Sequence, residues 1–204
     1  KSSFGPGMKA GGPNYVAQLM DFTDVATTAA AEKVQTPTLA ALCDRLADSG
    51  QAEDARIVAA AASYERAMRE EFSREHDHFL LIGQDNVRRY LPVGTVRVRV
   101  HESDTAFDLF ARACAAHVAR CRVVISVPRG LQSATVQRLE QLTESWAGAI
   151  EFVEETDAEL AQAIRDGQAD RVRYAAADRA PAEVLEAAMC MQRAGADLSD
   201  IVRQ

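Results

Sequence analysis

The chain is poor in the groups from which sites are most often built. It has one tryptophan, four histidines, four cysteines and no CxxC pair in 204 residues. Cys43, Cys114, Cys121 and Cys190 stand far apart, with no histidine at ligand spacing. That excludes a zinc-ribbon pattern and a dense disulfide framework, and the thiols read as reduced and mostly packed. His76-Asp77-His78 is the only dense histidine stretch. An H-x-H pair puts both rings on one side only in an extended segment, and no third ligand follows, so it reads as a solvated turn and not a metal site. No apolar run approaches the ~20 residues of a membrane-spanning helix, and the start has neither the basic nor the apolar region of a signal peptide. A cytoplasmic protein is expected. Positive charge is short too: 23 Lys and Arg stand against 30 Asp and Glu, a net charge of −7. The arginines alternate with acids in "RVRVHESD" and "AIRDGQADRVR". Both features argue against nucleic acid as a partner.

Catalytic signatures are missing as well. There is no G-x-S-x-G elbow, no G-x-x-x-x-G-K-[ST] loop and no H-E-x-x-H. Lys9 follows glycines, but Ala10 stands where a phosphate loop needs the Ser or Thr that holds magnesium. The pairs Glu70-Glu71 and Glu154-Glu155 read as solvated faces.

Apolar periodicity, by contrast, is strong. Leu39, Leu42, Cys43 and Leu46 share one helical face closed by Gly50, and Ile57, Ala61, Tyr64, Met68 and Phe72 mark a longer helix from about Gln51 to Ser73. The two read as a helical hairpin. From Phe79 the period changes. "FLLIG" and "TVRVRVH" favour strands, the latter with Val96, Val98 and Val100 alternating against Arg97, Arg99 and His101. Asp104 is placed to cap a helix carrying Phe107, Phe110, Ala111, Cys114 and Val118. "CRVVISV" is a buried strand, and Val136, Leu139, Thr143 and Trp146 mark the next helix. "AIEFVEE" leads to a helix from about Asp157 to Arg165, and "RVRYAA" to one beginning near Pro181. Four β-then-α units imply an α/β fold with a mostly parallel, Rossmann-like sheet, preceded by the helical hairpin.

Such a sheet binds phosphates where a glycine-rich turn leads from a strand into a helix and leaves backbone N–H groups exposed. "HESDT" and "AAADRAP" have no glycine, and "EETDA" would repel an anion. Only "PRGLQS" remains, where Arg129 and Gly130 are an anion-site candidate and a plain turn is the blander explanation. A second candidate is Arg88 with Arg89 in "GQDNVRRYLPV", residues 83 to 93. That stretch reads as a junction between hairpin and sheet, with Tyr90 and Leu91 pointing inward and Asp85 or Asn86 capping a turn.

Two separated stretches resemble one family. In the opening "KSSFGPGMKAGGPNY", Ser3, Gly5, Lys9, Gly11, Gly12, Pro13 and Tyr15 match the Ser/Gly turn and K-x-G-G-P-x-Y that follow the "PFGG" segment of L-glutamate γ-semialdehyde dehydrogenases. The "PFGG" itself is missing. "GQDNVRRYLPVGTVRVRVHESDT" and "EQLTESWAGAIEFVEE" resemble the region after the dehydrogenase core in bifunctional proline utilisation A flavoenzymes. The similarity runs to about Ala188, after which "MCMQRAGADLSDIVRQ" departs as a truncated or divergent end.

The resemblance implies that residues 1–24 close an aldehyde dehydrogenase core, 25–78 are a helical linker, and 79–204 are a Rossmann-like C-terminal domain like a truncated aldehyde dehydrogenase. It implies a parent that oxidises L-glutamate γ-semialdehyde to glutamate with NAD and, in the bifunctional branch, carries an FAD-dependent proline dehydrogenase. The family's nucleophilic cysteine, general base and NAD contacts fall upstream of Lys1, so this stretch is expected to hold no catalytic residue and no cofactor. Its role would be structural, enclosing the tunnel between active sites, with the catalytic domains of the same polypeptide as partners. A stand-alone nucleotide- or ligand-binding module is the alternative, an oligomerisation scaffold a third, and a homo-oligomer is compatible with each.

Overall fold

The fold was derived from a computed structural model that describes residues 20–21, 33–77 and 80–194. Ser3, Gly5, Lys9, Gly11, Gly12, Pro13 and Tyr15, together with His78, Phe79 and residues 195–204 of the divergent end, lie outside the described residues.

Helix α1, Pro37–Ala47, starts on a proline at its first turn and buries Leu39, Leu42, Cys43 and Leu46. Its entry is held by α2, Ala52–Ala67, whose Glu65 accepts the Gln35 and Thr36 N–H groups at 2.6 and 2.7 Å. Helix α2 does not run on unchanged to Ser73. Met68–Phe72 form a π-turn, with Ser73 N–H bonded to Met68 O at 2.8 Å. The wider turn rotates the apolar stripe away from the core, and Phe72 is left 43% exposed, packed edge-on to Tyr90 at 4.9 Å.

The "FLLIG" stretch departs from expectation. Its described residues form no strand: Leu80 has φ +44 and Gly83 φ +78 in a turn between two short antiparallel strands, β1 His76–Asp77 and β2 Val87–Arg88. Asp77 closes this hairpin by accepting the Leu80 and Asn86 N–H groups at 3.1 and 3.3 Å. Tyr90 is half-buried, but Leu91 is 71% exposed and not inward.

The main sheet then assembles from β3 Thr95–Arg99, β4 Arg122–Pro128, β5 Ile150–Glu155 and β6 Arg171–Arg173, all parallel, in the order β5-β4-β3-β6. Each strand is followed by a helix: α3 Ala106–Val118, α4 Ala134–Leu142, α5 Asp157–Arg165 and α6 Ala182–Ala194. Trp146 sits not in α4 but on a 3₁₀ turn after it, fully buried. One face of the sheet carries Val96, Val98, Val123, Ile125 and Val127 into a core shared with α1, α2, α3 and α4. On the other face Val172 and Tyr174 pack with Leu160, Ile164, Val184 and Ala187 of α5 and α6. Central strands covered on both faces read as apolar runs, which is why "CRVVISV" announces β4 so plainly.

Among the described residues no helix is long and apolar enough to cross a membrane.

Candidate functional site

In chain order the sheet reads third, second, first, fourth, so the strand order reverses between β3 and β6. In open parallel sheets ligands bind beyond the carboxyl ends of the strands at that reversal. Here the crevice is built from the turn after β3, His101–Thr105, and the chain after β6, Tyr174–Ala176.

The protein's own groups occupy it. The cap of α3 falls on Thr105, one residue later than Asp104. Thr105 Oγ1 accepts Asp108 N–H at 3.1 Å, and the Asp108 carboxylate accepts Thr105 N–H at 3.1 Å. Glu53 reaches over from α2 to accept Phe107 N–H at 3.0 Å. Two carboxylates and the Thr105 hydroxyl therefore hold N–H groups that a phosphate would need. Asp104 instead accepts His101 N–H at 2.8 Å and pairs with Arg179 from the far side of the crevice. Arg112 of α3 closes the floor, donating to the Tyr174 and Ala175 carbonyls at 3.1 and 3.0 Å.

Beside the crevice, under α5, Arg97 and Arg99 are buried to 8% and 4% exposure. The alternation of valines with arginines gives a strand with two covered faces, not one wet face. Arg97 Nη1 lies 2.7 and 2.6 Å from the two Glu155 oxygens, and Ser126 Oγ donates to Glu155 Oε1 at 2.5 Å. Arg99 donates to Ser126 Oγ at 3.0 Å, Glu155 O at 2.9 Å and Asp157 Oδ1 at 2.7 Å. Two guanidinium groups meet two carboxylates, so the cluster is charge-balanced, with Arg97 Nε buried and without a hydrogen-bond partner among the described residues. The nearby Tyr174 hydroxyl is buried without a partner among the described residues, and desolvation raises its pKa.

The two anion-site candidates lie elsewhere, and no described hydrogen bond or ion pair joins them. Arg129 donates to both Glu159 oxygens at 2.8 and 3.0 Å. Gly130 has φ +82 with no protein atom where a Cβ would stand, so the turn's positive φ accounts for glycine here. Arg88 donates to Tyr90 Oη at 2.6 Å and to Glu71 at 3.0 Å, lashing the β1–β2 hairpin to the π-turn. That guanidinium holds the Glu71 carboxyl below its ordinary pKa. Arg89 faces Glu75 at 3.6 Å on the surface.

Cys43, Cys114 and Cys121 are buried packing groups, while Cys190 is exposed. Burial pushes the Cys43 thiol up to about 11 and raises Cys114 and Cys121 as well. No group of three His, Cys, Asp or Glu among the described residues could hold a metal ion.

Sequence reasoning missed Arg97, Arg99, Arg112 and Arg179 as a set. The available signal was two arginines on the alternate face of a strand that the β-then-α pattern makes central, where neither face meets water.

Comparison with protein-family models, with curated proteins and with solved structures finds no match to this chain.

Proposed function

We propose that this chain is a non-catalytic C-terminal domain, like a truncated aldehyde dehydrogenase, of a proline-catabolising enzyme. The catalytic part oxidises L-glutamate γ-semialdehyde to glutamate with NAD and, in the bifunctional branch, is fused to an FAD-dependent proline dehydrogenase. The domain encloses the substrate tunnel and binds neither cofactor itself. The observation that carries this reading is the filled crevice: the sheet has the strand order that serves dinucleotides, yet Glu53 and the Thr105 hydroxyl take N–H groups of the first turn of α3 and Asp104–Arg179 spans the opening. A scaffold that keeps the topology and fills the ligand end suits an architectural part. The projecting β1–β2 turn supports the same reading, since Leu80, Leu81, Ile82 and Leu91 are all more than half exposed and offer an apolar edge for the catalytic part to cover.

Two measurements test it. An antibody raised against this chain should detect, in the source cells, a polypeptide several times longer that oxidises L-glutamate γ-semialdehyde when immunoprecipitated. Calorimetric titration of the chain with NAD and with FAD should give no heat of binding. Binding of either at micromolar concentration would favour a stand-alone nucleotide module, and a native polypeptide without dehydrogenase activity would overturn the parent assignment.

A further inference from the structure

A second concavity opens at the opposite end of the sheet, where the strands begin. It encloses about 840 Å³ and is walled by the start of α1, the end of α2, the end of α3 and the first residues of β4. We propose that this cleft binds a small organic anion bearing a carboxylate or phosphate group.

The charge of the lining is the first argument. In a chain of net charge −7, three guanidinium groups, Arg69, Arg120 and Arg122, border this one cleft. Among the described lining residues the one acid is Glu65, whose two oxygens accept Gln35 N–H, Thr36 N–H and the Thr36 hydroxyl and whose charge also meets Arg69. Arg122 shares Glu151 at 2.5 Å and Arg69 lies 3.7 Å from Glu70, both pairs largely exposed. Arg120 has no carboxylate within ion-pair reach among the described residues. Guanidinium groups held near one another recognise carboxylates and phosphates through paired, charge-assisted hydrogen bonds.

The backbone at Arg120 is the second. It has φ +60, in the turn that ends α3, a conformation that asks for glycine and strains any larger residue. Arginine accepts that strain at an exposed position that lines the cleft.

Rigidity and size are the third. The His117 ring is stacked on Trp146, centroids 3.9 Å apart and planes 13° from parallel, and its Nε2 lies 3.0 Å from Thr38 Oγ1. Trp146 Nε1 donates to Thr38 O at 3.2 Å, which locks the pair to α1. The result is a flat, fixed wall beside the arginines. The volume lies in the range of small-molecule sites and far exceeds a bare inorganic ion, which points to an anion with an organic body.

The proposal stands apart from the tunnel role and is tested on the full chain. Citrate serves as the carboxylate probe and ribose 5-phosphate as the phosphate probe, each against sodium chloride of matched ionic strength. At least one probe should raise the melting temperature in a saturable way, and which one does so identifies the acid group. Arg120→Gly should raise the melting temperature of the free chain by relieving the positive φ, yet weaken the probe by about tenfold, the loss of one charged hydrogen bond. Arg120→Gln, which keeps length without charge, should weaken it alike, and Arg129→Ala, outside the cleft, should leave it intact. The proposal fails if neither probe exceeds the salt control, if Arg120→Gly retains full binding, or if Arg129→Ala loses as much as Arg120→Gly.

Discussion

Arg97 reaches across a whole strand to hold Glu155. The two residues belong to β3 and β5, with β4 between them, and the guanidinium touches both carboxylate oxygens within 2.7 Å while Ser126 of the intervening strand donates to the same group. Three strands are thereby tied on the face that α5 covers. With side chains 10% and 8% exposed, neither partner has water to fall back on. Glu155→Ala should cost about 3–5 kcal/mol, because it leaves Arg97 charged and unpaired. The double change Arg97→Met with Glu155→Leu should recover at least half of that loss, since an apolar pair needs no desolvated charge. Urea denaturation of both variants checks this, and a double variant no better than the single one would deny that the unpaired charge is the cause.

Asp54 and His117 contribute to the acid sensitivity of the chain in separate windows. Asp54, 1% exposed, receives Arg138 at 2.9 and 2.6 Å and the Ser49 hydroxyl, and the Arg138 hydrogen bonds hold its pKa below the usual carboxylate range. A depressed folded-state pKa means stability present above about 3.9, the unfolded value, and lost as pH falls through the folded one. His117 is depressed as well, by burial against Trp146, so its neutral form is the one the fold prefers. Its contribution is full above about pH 6.5 and declines as pH falls through the lower folded value. Urea midpoints measured from pH 8 to pH 3 should therefore drop in two steps. His117→Gln should remove the upper step alone, and Asp54→Asn should shrink the lower, to which the lowered carboxyls of Glu65, Glu71 and Glu159 also contribute.

Thiol reactivity should separate one cysteine from three. Cys43, Cys114 and Cys121 are buried and their thiols are raised by desolvation, whereas Cys190 is exposed on α6. Ellman's reagent at pH 8 should titrate one thiol promptly in the folded chain and all four in urea. Cys190→Ser should abolish the prompt phase. Prompt modification of a second thiol would show that a core cysteine opens to solvent without global unfolding.

Gly94 is required by contact rather than by turn geometry. A Cβ there would stand 2.7 Å from Asp170 Oδ2, the oxygen that accepts Thr95 N–H at 2.6 Å and fastens the approach to β6 onto the start of β3. Gly94→Ala should cost about 1–3 kcal/mol by displacing that carboxylate and orphaning the amide. In an Asp170→Ala background the same change should cost less. Equal costs in the two backgrounds would mean that the crowding lies elsewhere.

The α/β pattern was legible because buried parallel strands and amphipathic helices obey local rules. Leu39 to Leu46 and the valines of β4 declare themselves within a few residues, as does Thr156, which caps α5 by accepting Glu159 N–H at 3.2 Å. The cap at Thr105 was misplaced by one position because Asp104 and Thr105 are equally good cap residues, and only Arg179, 75 residues from Asp104, decides between them. Glu154-Glu155 reads as a solvated face, yet Glu155 is buried, because its partner Arg97 lies more than fifty residues earlier. Nor does local sequence reveal that "FLLIG" turns instead of extending, since Asp77 gathers the Leu80 and Asn86 amides from both ends of the loop. Of the arginines considered for anions, Arg88 and Arg129 hold carboxylates of their own chain, while Arg120 drew no notice because no motif surrounds it.

The position of β3 has a consequence for how the chain is made. Val98 pairs with Ile125 on one side and with Arg173 on the other, so the strand that starts the sheet waits for the strand that ends it. During synthesis β3, β4 and β5 can associate while one edge of β3 still shows its amides and carbonyls to the cell. At roughly 5–20 residues per second the interval before β6 emerges is on the order of seconds. An open strand edge of that kind is a template for joining a neighbouring nascent chain. A ribosome that stalls between residues 156 and 170 would release a species with its last partner missing, and chaperone demand should peak there rather than at the helical hairpin, whose contacts are close in sequence and form early.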